Sequence, residues 1–214
     1  MNNQLKILKR TALLITISLL VFSCTRKKVV VKNNEGKVVE KYYVDRKDPS
    51  KRVGVYKAYY DNGQLLEVCK YVDGMPDGER NMYFDNGKLM IVEHYVKGVY
   101  EGEYLSYEKD GNLIVKGQYK DNVMSGVWRK FYDSPKGMVK EEVTFANNEE
   151  NGPFKEYNPN GKVSVEGYYS GGFMDGDIMV YDENGKPVKK LFYQNGKQIG
   201  KQEFTDSKSS PIVP

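Results

Sequence analysis

Histidine and cysteine are almost absent: the 214 residues hold one histidine, His94, and two cysteines, Cys24 and Cys69. Two cysteines exclude a disulfide framework. No activating partner is apparent for a cysteine nucleophile, and a lone histidine leaves the usual His-containing metal sites short of ligands. No serine stands in a nucleophile elbow. Downstream of residue 30 no stretch carries a helical period, which excludes a helical domain. The one apolar run, residues 11–22, is too short to span a membrane comfortably. Basic residues form no concentrated patch of the kind that binds nucleic acid.

Glycine is plentiful, with 21 copies, and it is periodic. Gly54, Gly78, Gly102, Gly126, Gly152, Gly176 and Gly200 follow one another at spacings of 24, 24, 24, 26, 24 and 24 residues. A fixed period sets the architecture before any local assignment is made. At the fifth position after each of the first six glycines stands an aromatic: Tyr59, Tyr83, Tyr107, Phe131, Tyr157 and Tyr181. The second position after the glycine holds Tyr56, Tyr104, Trp128, Phe154 and Ile178, with Arg80 as the exception. Turn signals follow, such as Asp61-Asn62-Gly63, Asp85-Asn86-Gly87 and Pro159-Asn160-Gly161. Asn-Gly and Asp-Gly accept the positive φ of tight hairpin turns. The fourth unit, with Ser134-Pro135-Lys136-Gly137, has two extra residues and a longer loop.

Beyond each turn the pattern alternates, as in Leu65, Glu67, Cys69, Tyr71 and in Val163, Val165, Gly167, Tyr169. Period-two patterning ending in an aromatic describes a strand with one preferred buried face. A second turn, as at Asp73-Gly74 or Asn195-Gly196, leads into the next unit. Each unit therefore reads strand, turn, strand, turn. The fold expected is all-β: an elongated antiparallel β-meander of about seven tandem β-hairpin repeats, on the order of 65 Å long at about 4.8 Å per strand.

Gly-x-aromatic-x-x-Tyr, then Asn-Gly, then Tyr-x-x-Gly-x-x-x-Gly, resembles the MORN repeat and looks most like its bacterial variant. The resemblance covers residues 53–204, with a decayed unit around Asn33-Asn34-Glu35-Gly36. It implies a scaffold for protein contacts, oligomerisation or membrane association. Some bacterial relatives carry an antitoxin-type label, for which no motif here speaks.

The N-terminus carries Lys6, Lys9 and Arg10, the apolar run, and Val21-Phe22-Ser23-Cys24. This resembles a bacterial lipoprotein signal, which implies residues 1–23 as a signal peptide and lipid on Cys24. An ordinary signal peptide or an uncleaved anchor is the alternative. More than one acyl chain would anchor the product stably. Losing residues 1–23 lowers Lys+Arg from 33 to 30 against 29 acidic residues, so the mature chain is near +1. Arg26-Lys27-Lys28 is either a headgroup contact or a solvated tether. The absence of acidic residues there favours the periplasmic face of the outer membrane over surface export, with the outer leaflet of the plasma membrane as the alternative. Residues 24–52 read as a lipid-anchored lead-in with a degenerate capping hairpin. Residues 53–205 read as the repeat domain and 206–214 as a disordered tail.

No catalytic residue, metal ligand or cofactor is assigned. Cys69 reads as a small filler beside Leu65 and Tyr71. His94 points away from its neighbours Glu93 and Tyr95. The Asp-Asn-Gly runs lack the remaining ligands of a calcium loop. The many glutamates are scattered rather than paired across a cleft. Tyr83, Tyr104, Tyr107, Trp128, Phe154 and Tyr157 are expected in ladders that hold the sheet and offer ring faces to a partner. The function expected is a non-catalytic, envelope-tethered scaffold for protein–protein interaction with an envelope protein. The alternatives are an antitoxin or immunity protein and an envelope glycan hydrolase.

Overall fold

The computed structural model describes residues 25–204; the proposed signal peptide, Cys24 and the whole of the proposed tail lie outside them. Two compact units share these residues: one extends to Gly87 and includes Tyr95–Gly98, and the other holds Lys88–His94 and the chain from Val99 on. The first contains β1 (Arg26–Lys32), β2 (Val38–Asp45), β3 (Gly54–Tyr59), β4 (Leu65–Val72) and β5 (Met75–Tyr83). β6 (Leu89–Val96) is divided between the units. The second continues with β7 (Val99–Tyr100), β8 (Gly102–Tyr107), β9 (Leu113–Lys120), β10 (Val123–Phe131) and β11 (Val139–Ala146). It ends with β12 (Glu149–Tyr157), β13 (Val163–Ser170), β14 (Phe173–Met174), β15 (Gly176–Tyr181), β16 (Pro187–Gln194) and β17 (Lys197–Glu203).

Within each unit the ladders are antiparallel and join neighbours in the chain. In the first, β1 to β5 pair in sequence order. In the second, β6 pairs β8, and the order then runs from β8 to β17. No helix forms among the described residues. The all-β hairpin meander expected from the repeat is the fold observed, and Asn34-Glu35-Gly36 turns β1 into β2.

Two kinds of turn alternate. In Asp61-Asn62-Gly63 only the glycine has positive φ, at 84°, and Gly63 N–H donates to Tyr60 O at 2.9 Å. This is a three-residue loop with a bulge at the glycine, not the two-residue turn that Asn-Gly suggests. The two-residue turns are the second set. Asp73-Gly74, Lys97-Gly98, Asp121-Asn122 and Asn147-Asn148 have both residues at positive φ. Asparagine and aspartate tolerate that region, so two of these turns work without glycine.

The second set also links the repeats. Gly98 N–H donates to Pro76 O at 2.8 Å, Asn122 N–H to Tyr100 O at 3.1 Å and Gly196 N–H to Met174 O at 2.9 Å. The carboxylates of Asp77, Glu101 and Asp175 accept from the other turn residue, at the N–H of Lys97, Asp121 and Asn195. Each turn is thus clipped to the entry of the preceding unit.

One face of each unit is packed. In the second, Val143, Phe154 and Ile178 form the buried centre, with Val165, Tyr169, Leu191 and Tyr193 against it. The bulky residue at the second position after each opening glycine supplies this core because it lands on thin backbone. Gly126, Val127 and Trp128 together face the single Gly117 across β9 and β10. A Cβ on Gly117 would lie 2.1 Å from Trp128 Cδ2, and one on Gly167 would lie 2.2 Å from Ile178 Cδ1. Glycine here makes room for a side chain; it is not required by φ. In the first unit Cys69 holds this position and is buried opposite Tyr56. Its next-strand neighbour is Arg80 rather than a ring. Cys69 therefore fills a core position, as expected of a small filler.

Gly117→Ala should cost about 1–3 kcal/mol through overpacking, read as a lower urea midpoint. Trp128→Leu in the same chain should return part of that loss, because the ring supplies the clash.

Candidate functional site

The six aromatic residues singled out in the sequence do not form one ladder. Tyr83 belongs to the first unit. In the second, Tyr104 and Trp128 have ring centroids 5.5 Å apart, and Tyr119 packs edge-on against both. Phe154 lies 4.7 Å from Tyr169. Tyr157 is elsewhere: its hydroxyl donates to Glu142 Oε2 at 2.9 Å, whereas Phe154 packs on Val143. Glu142 and Val143 are consecutive in β11, so the two rings occupy opposite faces. Tyr107, three residues after Tyr104, shares the Tyr157 parity. The spacing of three between the two aromatic positions accounts for this, since odd steps along a strand change face. Trp128 is 8% exposed and Phe154 2%, so both ring faces are committed to the sheet. Both therefore act as packing residues within the sheet. Trp128 Nε1 is buried with no hydrogen-bond acceptor among the described residues.

The opposite face carries a charge ladder. Arg129 Nε donates to Glu142 Oε1 at 2.6 Å, and Lys155 pairs with Glu166 at 3.0 Å. Glu142 lies directly opposite both Arg129 and Lys155. The Tyr181 hydroxyl donates to Glu166 Oε1 as Tyr157 does to Glu142. Burial alone would raise the Glu142 pKa, but hydrogen bonds from Arg129 and Tyr157 outweigh it and hold the carboxyl below its usual value. Glu166 is lowered by Tyr181 first and then by Lys155. Burial, followed by the hydrogen bond to Glu142, pushes Tyr157 up to about 12.

In the first unit Arg52 stands among three tyrosines, its guanidinium 4.8 Å from the Tyr42 ring, 4.7 Å from Tyr56 and 5.7 Å from Tyr71. Burial, with Glu40 and Glu67 nearby, pushes the Tyr56 hydroxyl up to about 12. Arg80 clamps Glu67 with two hydrogen bonds, at 2.9 and 3.1 Å. The exceptional arginine at the ring position is thus paired with a carboxylate on the same face.

His94 Nδ1 lies 3.2 Å from the Glu103 carbonyl. Among the described residues no three His, Cys, Asp or Glu side chains gather to hold a metal ion. A depression of about 510 Å³ in the second unit is lined by Glu108, Phe131, Tyr132, Asp133 and Lys140 among others. Glu108 is raised first by a hydrogen bond with Asp133.

Sequence reading missed Tyr168 and Phe173, both exposed apolar residues of the second unit. Tyr168 lies opposite Pro153, and Phe173 is opposite Ser170. Counting by twos from the turn reaches Tyr169, which packs inward on Phe154, and steps over Tyr168.

A family model described as a MORN repeat variant matches residues 52–73, 76–97, 100–121, 150–170 and 174–195, together just over half of the chain. The interval between the third and fourth matches contains the unit with the longer loop. No curated protein matches the chain.

Trp128→Ala and Phe154→Ala should each cost about 3–5 kcal/mol in urea unfolding, as packing residues do. The charge ladder predicts losses on both pH flanks. Glu142 has a folded pKa below the unfolded value near 4.3, so its contribution is whole above that pH and is lost as pH falls through the folded value. Tyr157 is raised to about 12, so its contribution is whole below about pH 10 and is lost as pH climbs through 12. Urea midpoints measured across pH should show Glu142→Gln shrinking the acid flank and Tyr157→Phe shrinking the alkaline one.

Proposed function

We propose that this chain, which belongs to the MORN repeat variant family, is a non-catalytic scaffold for protein–protein interaction, held at the cell envelope by lipid on Cys24. The repeat family supports a scaffold for protein or membrane contact. The observation that carries the protein-contact reading is the exposed aromatic pair on the unpacked face of the second unit. Met174 packs against the buried cluster, so its neighbour Phe173 points to the other face, where Tyr168 also lies. Phe173 is 58% exposed, with its ring against Gly196. Aromatic side chains bring large contact area at low entropic cost. A half-exposed tyrosine and phenylalanine beside a laced charge ladder have the make-up of an interface centre with a polar rim.

The tether rests on the N-terminal signal. Basic residues, a short apolar run and Val21-Phe22-Ser23-Cys24 resemble the processing site of a bacterial lipoprotein. The mature chain is assigned to the periplasmic face of the outer membrane.

Tyr168→Ser together with Phe173→Ser should abolish in-cell cross-linking to a protein neighbour while moving stability by no more than about 0.5 kcal/mol. A parent protein that cross-links to no protein neighbour would remove the reading. Mass spectrometry of the mature N-terminus should find diacylglyceryl and acyl groups on Cys24; an unmodified cysteine there ends the tether.

A further inference from the structure

Six asparagines are followed directly by glycine: Asn62, Asn86, Asn151, Asn160, Asn184 and Asn195. Glycine has no Cβ to shield its backbone nitrogen, so such a pair is where a side-chain amide is most open to attack by the chain itself. Asn151 lies inside β12, and the Asn195-Gly196 turn has both N–H groups bound by the preceding unit, on the Asp175 carboxylate and Met174 O. Asn62, Asn86, Asn160 and Asn184 sit in three-residue loops of one backbone form. In each, the glycine has a φ of 81–84° and its N–H donates to the carbonyl three residues back at 2.8–2.9 Å. Backbone geometry therefore does not separate these loops.

Side-chain bonding does. Asn62 Nδ2 donates to Asp85 O at 3.1 Å, and Asn62 Oδ1 accepts from Gln64 N–H at 2.9 Å. Asn160 repeats this, donating to Glu183 O at 2.8 Å and accepting from Lys162 N–H at 2.9 Å. The carbonyl in each case belongs to the residue before the asparagine of the next loop of this kind. Asn184 has neither bond. The described chain ends at Phe204, before another such loop, and the Asn184 amide has no acceptor among the described residues. Its Oδ1 loses its donor to Asp182: that carboxylate accepts from Lys186 N–H at 2.9 Å, the group that corresponds to Gln64 N–H and Lys162 N–H. Tyr60 and Asn158 stand at the Asp182 position in the other two loops and leave this donor to the asparagine. Asn184 is exposed and bonded through its backbone alone, its N–H to Asp182 and its carbonyl to Lys162 Nζ at 3.0 Å.

We propose that Asn184 is a self-modification site, where the loop between β15 and β16 converts the side-chain amide to aspartate and isoaspartate. The Gly185 nitrogen gives up its proton and attacks Asn184 Cγ. The new N–Cγ bond closes a cyclic imide as the Cγ–Nδ2 bond breaks, and the amide nitrogen leaves as ammonia carrying that proton. Water then opens the imide at either carbonyl. No electrons are transferred, and water is the co-reactant. A neutral side chain is replaced by a carboxylate in a loop whose carbonyl already holds Lys162. Opening at the backbone carbonyl also lengthens the turn, which the Gly185 bulge cannot absorb without losing its bond to Asp182 O. The inference needs neither the lipid tether nor the partner surface at Tyr168 and Phe173.

The test incubates the full chain in neutral buffer. Peptide mass spectrometry follows amide loss at each Asn-Gly pair, and enzymatic methyl transfer to the freed carboxyl counts isoaspartate. Each missing hydrogen bond releases the amide about fivefold, so Asn184 should convert about 25-fold faster than Asn62 and Asn160. In denaturing urea the three rates should draw together; Asn160 and Asn184 are both followed by Gly-Lys. Asp182→Tyr, which copies the loop at Tyr60, returns Lys186 N–H to Asn184 Oδ1 and should slow conversion about fivefold with the thermal transition unshifted. Asp182→Ala should slow it likewise. Three results would each overturn the inference. Equal rates at Asn160 and Asn184 in the folded chain would remove the role of the missing bonds. A difference that persists undiminished in urea would assign it to local sequence. Conversion as fast as the parent's in both Asp182 variants would remove the carboxylate from the account.

Discussion

A sheet with no second layer has to bury its apolar groups against itself, and the structure does so by laying a large side chain across bare backbone. Trp128 on Gly117 and Ile178 on Gly167 are the clearest cases, with no room for even a methyl group beneath them. Strand spacing is about 4.8 Å, too close for two large side chains to lie flat side by side on the same row. Alternating large with minimal residues lets each ring cover its neighbour's strand. Aromatic pairs held at 4.7–6.1 Å then add about 0.5–1.5 kcal/mol each beyond area burial. In β10 the two extra residues after the short turn serve the same end, because they bring Trp128 over Gly117 of the previous strand.

The turns complete the arrangement. Paired left-handed residues point their N–H groups back toward the preceding unit, where a carbonyl and often a carboxylate accept them. Side-chain packing and turn bonding thus act between the same neighbours. Stability in such a chain is local and additive from unit to unit. The departures from the repeat are found where the neighbour changes: Arg80 takes the ring position and is held by Glu67, and Arg52 fills a nest of tyrosines beside the lead-in hairpin.

Trp128 and Phe154 pack one face, whereas Tyr157 and Tyr181 join the charged side chains of the other. There the two units differ in kind. The second has alternating charges already satisfied by one another, with exposed aromatic residues beside them. In the first, Lys41 lies opposite Lys57 across β2 and β3, and Val30 and Val55 are exposed.

Periodicity alone was enough to determine the all-β meander, the positions of the hairpins and the membership of Cys69 in the core. Glycine period, turn residues and period-two alternation are local properties of the chain, and each leaves a mark in the order of residues. The Asn-Gly turns were legible in place but not in type, because the bulge at Gly63 depends on how the flanking strands pair. Which aromatics remain available to a partner was not legible. Trp128 and Tyr157 read alike as periodic rings, yet strand parity sends one into the packing and the other to a glutamate on the far side. Tyr168 was hidden next to Tyr169 for the same reason. Whether Lys41 meets a carboxylate or Lys57 depends on register between strands, a relation between residues distant in sequence that only the folded sheet decides.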